Sequence, residues 1–214
     1  MEAFTIDFDP EVNLVEAPLL SVSQQGVVAS SQKSVTLSPE CFDGSILMVD
    51  TIAFSEKRID CFSARYRWRF AASEEADLFR PLTLGFLKAL VILTNSDGQV
   101  LCQRRAVTVE AGMNWSLSAS GFLNESGSIG SQAQSILERE LGLTSGDYSP
   151  LVPDRIGLSD QIVVVVYRAQ ISNRAVLRPE PSQVDDLLWA NQDELPDPLI
   201  SGSSDLLRLA DLQS

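Results

Sequence analysis

The apolar positions of this 214-residue chain change rhythm near Arg80-Pro81. Before that point, short β-prone runs alternate with turn residues: Glu2–Phe8, Leu19–Val22, Val27–Ala29 and Ser34–Leu37, then Ile46–Phe54 and the longer Ile59–Phe70. Cys-Phe-Asp-Gly-Ser at 41–45 predicts a turn, because Asp-Gly supplies positive φ angles. Ile59–Phe70 alternates in part, with Arg65, Arg67 and Arg69 on one face and Ala64, Tyr66, Trp68 and Phe70 on the other, as in an amphipathic strand. Those arginines either grip an anion or form a solvated face that balances the many acidic residues. Ser73–Phe79 is expected as a short helical link. Residues 1–80 together read as a small β-rich extension.

After Pro81 the runs lengthen. Leu84–Thr94 is nearly continuous and apolar, as expected of a strand buried on both faces. Asn95-Ser96-Asp97-Gly98 predicts a hairpin turn, with Gln99–Arg105 returning as the second strand. Met113–Leu123 is extended and punctuated by glycine. The spacing predicts a helix over Ser131–Leu141, with Ser128 or Ser131 as N-cap, Ile136, Leu137 and Leu141 on one side, and Gly142 ending it. The β-branched run Ile162–Tyr167 marks a central strand within Gln161–Ser172. Val184–Leu195, which includes Trp189, reads as a strand end leading into a short helix, and Leu206–Leu212 as a terminal helix.

Composition narrows the chemistry. Hydrophobic residues make up 44% and charged residues 21%, ordinary globular proportions. A net charge of −13 argues against a nucleic-acid partner, which needs a Lys/Arg footprint, although a positive pocket inside an acidic protein stays open. No basic segment followed by an apolar run opens the chain, and no apolar run is long enough to cross a bilayer, so a cytoplasmic protein with no membrane partner is expected. Cys41, Cys61 and Cys102 are widely spaced with no CxxC pair, which predicts reduced and mostly buried thiols. The chain has no histidine. This excludes Ser-His-Asp and Cys-His catalysis and His-ligated metals, and Ser118, Ser120 and Ser126 have no base to activate them.

A strand, an Asp-Gly turn and a strand ending Gln103-Arg104-Arg105 are followed by a W-x5-G segment from Trp115 to Gly121. A helix then closes on Glu140-Leu141-Gly142-Leu143, and a later Val184–Leu195 segment carries Trp189 among acidic residues. In this order, over about residues 83–199, the chain resembles the Nudix (MutT-like) superfamily. A weaker likeness, to members with an N-terminal β extension, begins near Phe42-Asp43-Gly44. The resemblance implies a Nudix-like α/β/α sandwich with a mixed sheet over residues 81–214, preceded by the β-rich N-terminal domain over 1–80.

The family's working motif, G-x5-E-x7-R-E-U-x-E-E-x-G-U with U a bulky aliphatic, sets glutamates one helical turn apart. There they share a face and hold Mg²⁺ ions that bridge pyrophosphate oxygens and activate water. Here Gly121 fits the first glycine, but the loop carboxylate is replaced by Gly127, or by Ser128 if the loop slides by one. The Arg-Glu pair becomes Ser135-Ile136 and the Glu-Glu pair Arg139-Glu140. Glu140 alone remains as a metal or catalytic candidate; the alternative is a solvated residue near a helix end. Arg139 stands where a metal needs an anion. Glu125 in the loop is the other weak catalytic candidate. Glu138 points about 200° away from Glu140 on a helix, so the two cannot chelate one ion. Asp154, Asp160, Asp185 and Asp186 are not brought to the site by any spacing, and Gln183 stands where many active relatives have Glu.

The resemblance also suggests ligand-binding residues. Arg104 and Arg105 end a strand from which family members often contact ligand phosphate; the alternative is a salt-bridged surface. Trp115 either stacks on a base or caps the core. Gly121 opens the motif. Gly127–Ser131 either offers backbone N–H groups to an anion or is simply loop and N-cap, and it lacks any P-loop lysine. Three functions stay open. The first is a degenerate Nudix-fold protein that binds a nucleotide-like or phosphorylated ligand, or a protein partner, without hydrolysing it and with no cofactor. The second is a divergent Mg- or Mn-dependent hydrolase cleaving a nucleoside diphosphate linked to another moiety. The third is a homodimeric interaction module. The first is the expectation, so the protein is read as more non-catalytic than catalytic.

Overall fold

The structure is a computed structural model and describes residues 2–34, 44–66, 68–107, 112–159 and 161–200. Its eleven strands are β1 (Glu2–Thr5), β2 (Glu11–Leu14), β3 (Ser45–Ala53), β4 (Arg58–Arg65), β5 (Gly85–Thr94), β6 (Val100–Arg105), β7 (Trp115–Leu117), β8 (Ala119–Phe122), β9 (Val152–Ser159), β10 (Ile162–Gln170) and β11 (Val184–Ala190). Four helices join them: α1 (Val22–Ser34), α2 (Trp68–Glu74), α3 (Ala76–Phe79) and α4 (Ile129–Leu141). The strands form one mixed sheet in the order β1-β9-β10-β5-β3-β4-β2, with β8 on β5 and β11, β5 and β7 all on β6.

β5 is the axis of this sheet. Its apolar run leaves only Lys88 and Thr94 short of full burial. One edge of β5 pairs in parallel with β10 along its whole length. The other edge is shared in turn by β3 at Gly85 and Phe86, β8 from Lys88 to Val91, and β6 at Thr94. β6 and β8 diverge from β5 at this edge, and Ser118 fills the gap. Its hydroxyl accepts from the Leu93 amide at 2.8 Å and donates to the Leu101 carbonyl at 3.0 Å.

α4 lies on one face, burying Ile129, Ala133, Ile136, Leu137, Glu140 and Leu141. Ser128 caps it by accepting from the Ser131 amide at 3.1 Å. Gly142 ends it at φ 66, where a Cβ would come within 2.8 Å of Arg178 Cβ. The opposite face is covered beside Leu90 and Ile92 by Trp115 and Leu195. Beside Phe86 it is covered by α1, α2 and α3 through Val28, Ala71, Ala72 and Phe79.

Several expected elements differ. Leu19–Val22 and Val27–Ala29 are not strands, because Val22–Ser34 is helical. Ser21-Val22-Ser23-Gln24 forms a capping box there: the Ser21 amide donates to Gln24 Oε1 at 2.7 Å and the Gln24 amide to Ser21 Oγ at 3.3 Å. The amphipathic strand ends at Arg65, and Trp68–Glu74 continues as helix. β9 is an added strand; it pairs β1 to β10 despite Pro153 and the buried Arg155, whose guanidinium meets Asp154 at 2.6 Å. Among the described residues no helix follows β11. The strands of residues 1–80 join the same sheet as the rest. The expected turn at 41–43, the strand at 35–37, Cys41, Arg67, Asp160 and the helix at Leu206–Leu212 lie outside the described residues. Among the described residues no helix is long and apolar enough to cross a membrane.

Candidate functional site

The site is built where β8, β6 and the last turn of α4 meet. Glu140 is not a solvated residue near the helix end: it is 3% exposed and its carboxylate is held by protein donors. It accepts from Gln103 Nε2 at 3.1 Å and from the Ser120 amide at 3.3 Å, and its other oxygen faces Arg139 at 3.2 Å. Arg139 lies across Gly121, where a Cβ would stand 3.0 Å from Ile136 and 3.2 Å from the guanidinium. The glycine is therefore needed for the close approach of α4 to β8, which is a packing role. Beneath Glu140, the buried Gln103 Oε1 and Ser116 Oγ have no hydrogen-bond partner among the described residues, although the two residues face each other across β6 and β7.

The other acids go elsewhere. Glu125 is exposed and accepts from Ser45 Oγ at 3.4 Å. Glu138 points to solvent, as the helical spacing required. Asp154 holds Arg155 and Arg168, and Asp185 and Asp186 hold Arg104 at 2.6 and 3.7 Å. Among the described residues no three Asp, Glu, Cys or His side chains come together as a metal site. The metal that the fold family implies also fails on donor chemistry. Its one surviving carboxylate is occupied by two N–H donors and a guanidinium, with further cations alongside. These residues do not fit a divalent cation, and no step is routed through one.

Cations gather instead. Lys88 on β5 lies opposite Phe122 on β8, so the two share a face of the sheet. The Lys88 ammonium sits 5.4 Å from the centre of the Phe122 ring, and the Arg69 guanidinium of α2 sits 5.0 Å from it. Burial pushes the Lys88 ammonium down to about 8; the charges of Arg105 and Arg69 act in the same direction and that of Glu140 opposes them. Burial also lowers Arg69, with Arg105 adding to the shift. Tyr66 packs edge-on against the same ring and accepts from Arg69 at 3.3 Å.

The predicted ligand-binding residues therefore separate. The charge of Arg105 is felt at Lys88 and Arg69. Arg104 stacks over Trp115 at 5.7 Å and pairs with Asp185. Trp115 packs against the Leu90–Ile92 core, and its backbone amide donates to the Pro198 carbonyl at 2.9 Å while its carbonyl accepts from the Ile200 amide at 2.8 Å. At Gly127–Ser131, the chain's own Asp9 stands against Gly130 and bonds the buried Tyr167 hydroxyl. Ser118 and Ser120 are buried within the sheet, and burial pushes the Cys61 and Cys102 thiols up to about 12 and about 11, so none is a poised nucleophile. Sequence reading missed Lys88. The available signal was a lysine inside a strand otherwise buried on both faces.

No family model matches the chain, and no curated protein does. Solved structures do. The Deinococcus radiodurans protein DR0079 matches at 18% identity and TM-score 0.50, over 59% of this chain and 83% of its own. A MutT protein from Methanosarcina mazei matches at 16% identity and TM-score 0.47, over 59% of this chain and 93% of its own. The M. smegmatis Nudix hydrolase RenU matches at 22% identity and TM-score 0.44, over 60% and 84%. At these identities the likeness is one of fold. The fold is Nudix-like.

Proposed function

We propose that this Nudix-like chain binds a nucleotide-like or phosphorylated ligand without hydrolysing it. The state of Glu140 carries this reading. The only carboxylate left at the motif's metal positions is buried against Gln103, Ser120 and Arg139. Metal-assisted pyrophosphate cleavage needs several carboxylates turned toward one point, and Arg139 beside Glu140 brings the opposite sign. What this face of the sheet offers an anion is a pair of cations on an aromatic platform, Lys88 and Arg69 over Phe122. In a protein of net charge −13 such a gathering of cations is a local choice, not a consequence of composition.

The test is nucleotide or phosphate release from NADH, ADP-ribose, diadenosine polyphosphates, nucleotide sugars and deoxynucleoside triphosphates, in millimolar Mg²⁺ and then Mn²⁺. Glu140→Gln serves as the control. The expected outcome is no turnover by either protein, with at least one panel member raising the melting temperature of both. Turnover abolished in Glu140→Gln would replace this reading with the divergent hydrolase.

A further inference from the structure

Glu140 carries a buried negative charge, and the chain supplies the positive charge that meets it. An ionised carboxylate taken out of water is costly unless a cation and hydrogen-bond donors replace its hydration. The two oxygens divide that work. Oε2 accepts from Gln103 Nε2 at 3.1 Å and from the Ser120 amide at 3.3 Å, both neutral donors. Oε1 faces Arg139 Nη2 at 3.2 Å, the one ion pair that Glu140 makes among the described residues. The guanidinium reaches it by lying across β8 at Gly121, where a Cβ would stand 3.2 Å from Nη2 and 3.0 Å from Ile136. Any larger residue at 121 would press on both, so the glycine and the guanidinium form one arrangement. The Arg139 side chain is 57% exposed and that of Glu140 4%, so the cation comes to the acid from the solvent side.

We infer that Arg139 is the resident counter-ion of Glu140, standing in for the divalent cation that the fold family implies, so that α4 stays joined to β8 without a metal. The misfit between these residues and a divalent cation is then an exchange of one cation for another. A guanidinium is matched by a single carboxylate. Mg²⁺ or Mn²⁺ needs several oxygens converging on one point, and no three acids do so among the described residues. This inference holds whether or not the protein takes a phosphorylated ligand.

The experiment is thermal melting of the full chain, followed by circular dichroism, in EDTA and in millimolar Mn²⁺. The parent is expected to respond to Mn²⁺ no more than Glu140→Gln does. Arg139→Glu replaces the resident cation with a second acid, so the charge must be met from solution. This variant is expected to melt lower than the parent in EDTA and to gain several degrees in Mn²⁺ beyond the parent's response. Adding Glu140→Gln to it should abolish that gain. Should Arg139→Glu fail to fold in both buffers, Arg139→Gln gives a second test in EDTA. It is expected to lower the melting temperature by about 2–6 °C in the parent and by much less in a Glu140→Gln background. A Mn²⁺ stabilisation of the parent that Glu140→Gln loses would show that Glu140 holds a metal, and would overturn the inference. So would an Arg139→Glu variant that folds and is indifferent to Mn²⁺, or an Arg139→Gln loss of the same size with and without Glu140.

Discussion

Lys88 shows how a single position can be set against the stability of its own fold. Its ammonium is carried on a strand whose neighbours are almost all fully buried, where the charges of Arg105 and Arg69 act against it and, among the described residues, that of Glu140 on α4 favours it. The ordinary lysine value is 10.5 and the folded value is about 8. Below pH 8 both folded and unfolded chains hold the proton, and the folded state bears the full penalty of burying it. Between 8 and 10.5 the unfolded chain keeps a proton that the folded chain releases, so this group's contribution rises with pH across that window. Lys88→Met removes the penalty. The variant is expected to be at least as stable as the parent at about pH 7, and the difference should shrink by about pH 9.5, as read from urea midpoints. A variant clearly less stable at neutral pH would mean that the ammonium supports the fold, and that its place by Phe122 is structural. Lys88 lay hidden in the sequence because the apolar run Leu84–Thr94 reads as a buried strand whether or not one member is charged. Glu140, by contrast, was legible, since Gly142-Leu143 fixes its place in the motif. Its partners were not, because Gln103 and Ser120 come from strands 37 and 20 residues away.

At the scale of elements, what the sequence disclosed depended on whether the signal was local. α4 was legible at both ends: Ser128 caps it and Gly142 stops it with a positive φ that glycine accepts readily. β5, β6 and β10 were legible from their apolar runs. The junction of β4 and α2 was not, because Tyr66-Arg67-Trp68-Arg69-Phe70 keeps a two-residue alternation across the point where the backbone turns helical. β9 was hidden by Pro153, Asp154 and Arg155, which break the apolar pattern and satisfy one another in the fold. α1 was missed for a different reason. Its apolar residues are too sparse to show helical periodicity, and its start is written only in the Ser21–Gln24 capping box. Gln24 does more than cap. It is buried, and its Nε2 donates to the Leu78 carbonyl at 2.7 Å, tying α1 to α3. Gln24→Ala should therefore cost about 1–3 kcal/mol, more than the roughly 0.5–1 kcal/mol expected for Ser21→Ala, by equilibrium urea unfolding. If the two variants lose the same stability, the contact to Leu78 contributes nothing beyond the cap.

At the scale of the whole molecule, strands from both sides of the change of rhythm at Arg80-Pro81 share one sheet. β3 pairs with β5, the Leu47 amide donates to the Leu123 carbonyl at 2.8 Å, and β1 lies along β9. Ile46, Met48, Phe62, Ala71 and Phe79 bury Phe86 in a cluster drawn from both sides of the boundary. Asp9 reaches across to the Tyr167 hydroxyl beside the first turn of α4. The cations over Phe122 have the same composite origin, with Arg69 from before Pro81 and Lys88 from after it. A chain starting at residue 81 would lose the partner of the first residues of β5, expose Phe86 and Leu87, and lack Arg69 over the Phe122 ring. It is expected to aggregate or to remain partly unfolded, and limited proteolysis of the full chain should release no stable fragment beginning near residue 81. Circular dichroism and size-exclusion chromatography of the truncated chain check this directly. A monodisperse, cooperatively melting 81–214 fragment would show that the N-terminal strands are an accessory to a self-sufficient core. Failure of that fragment to fold would have a practical consequence for the interaction-module reading. Loss of self-association on deleting residues 1–80 could then not be assigned to a docking surface, and only point substitutions on the exposed faces of β1 and β2 would test it.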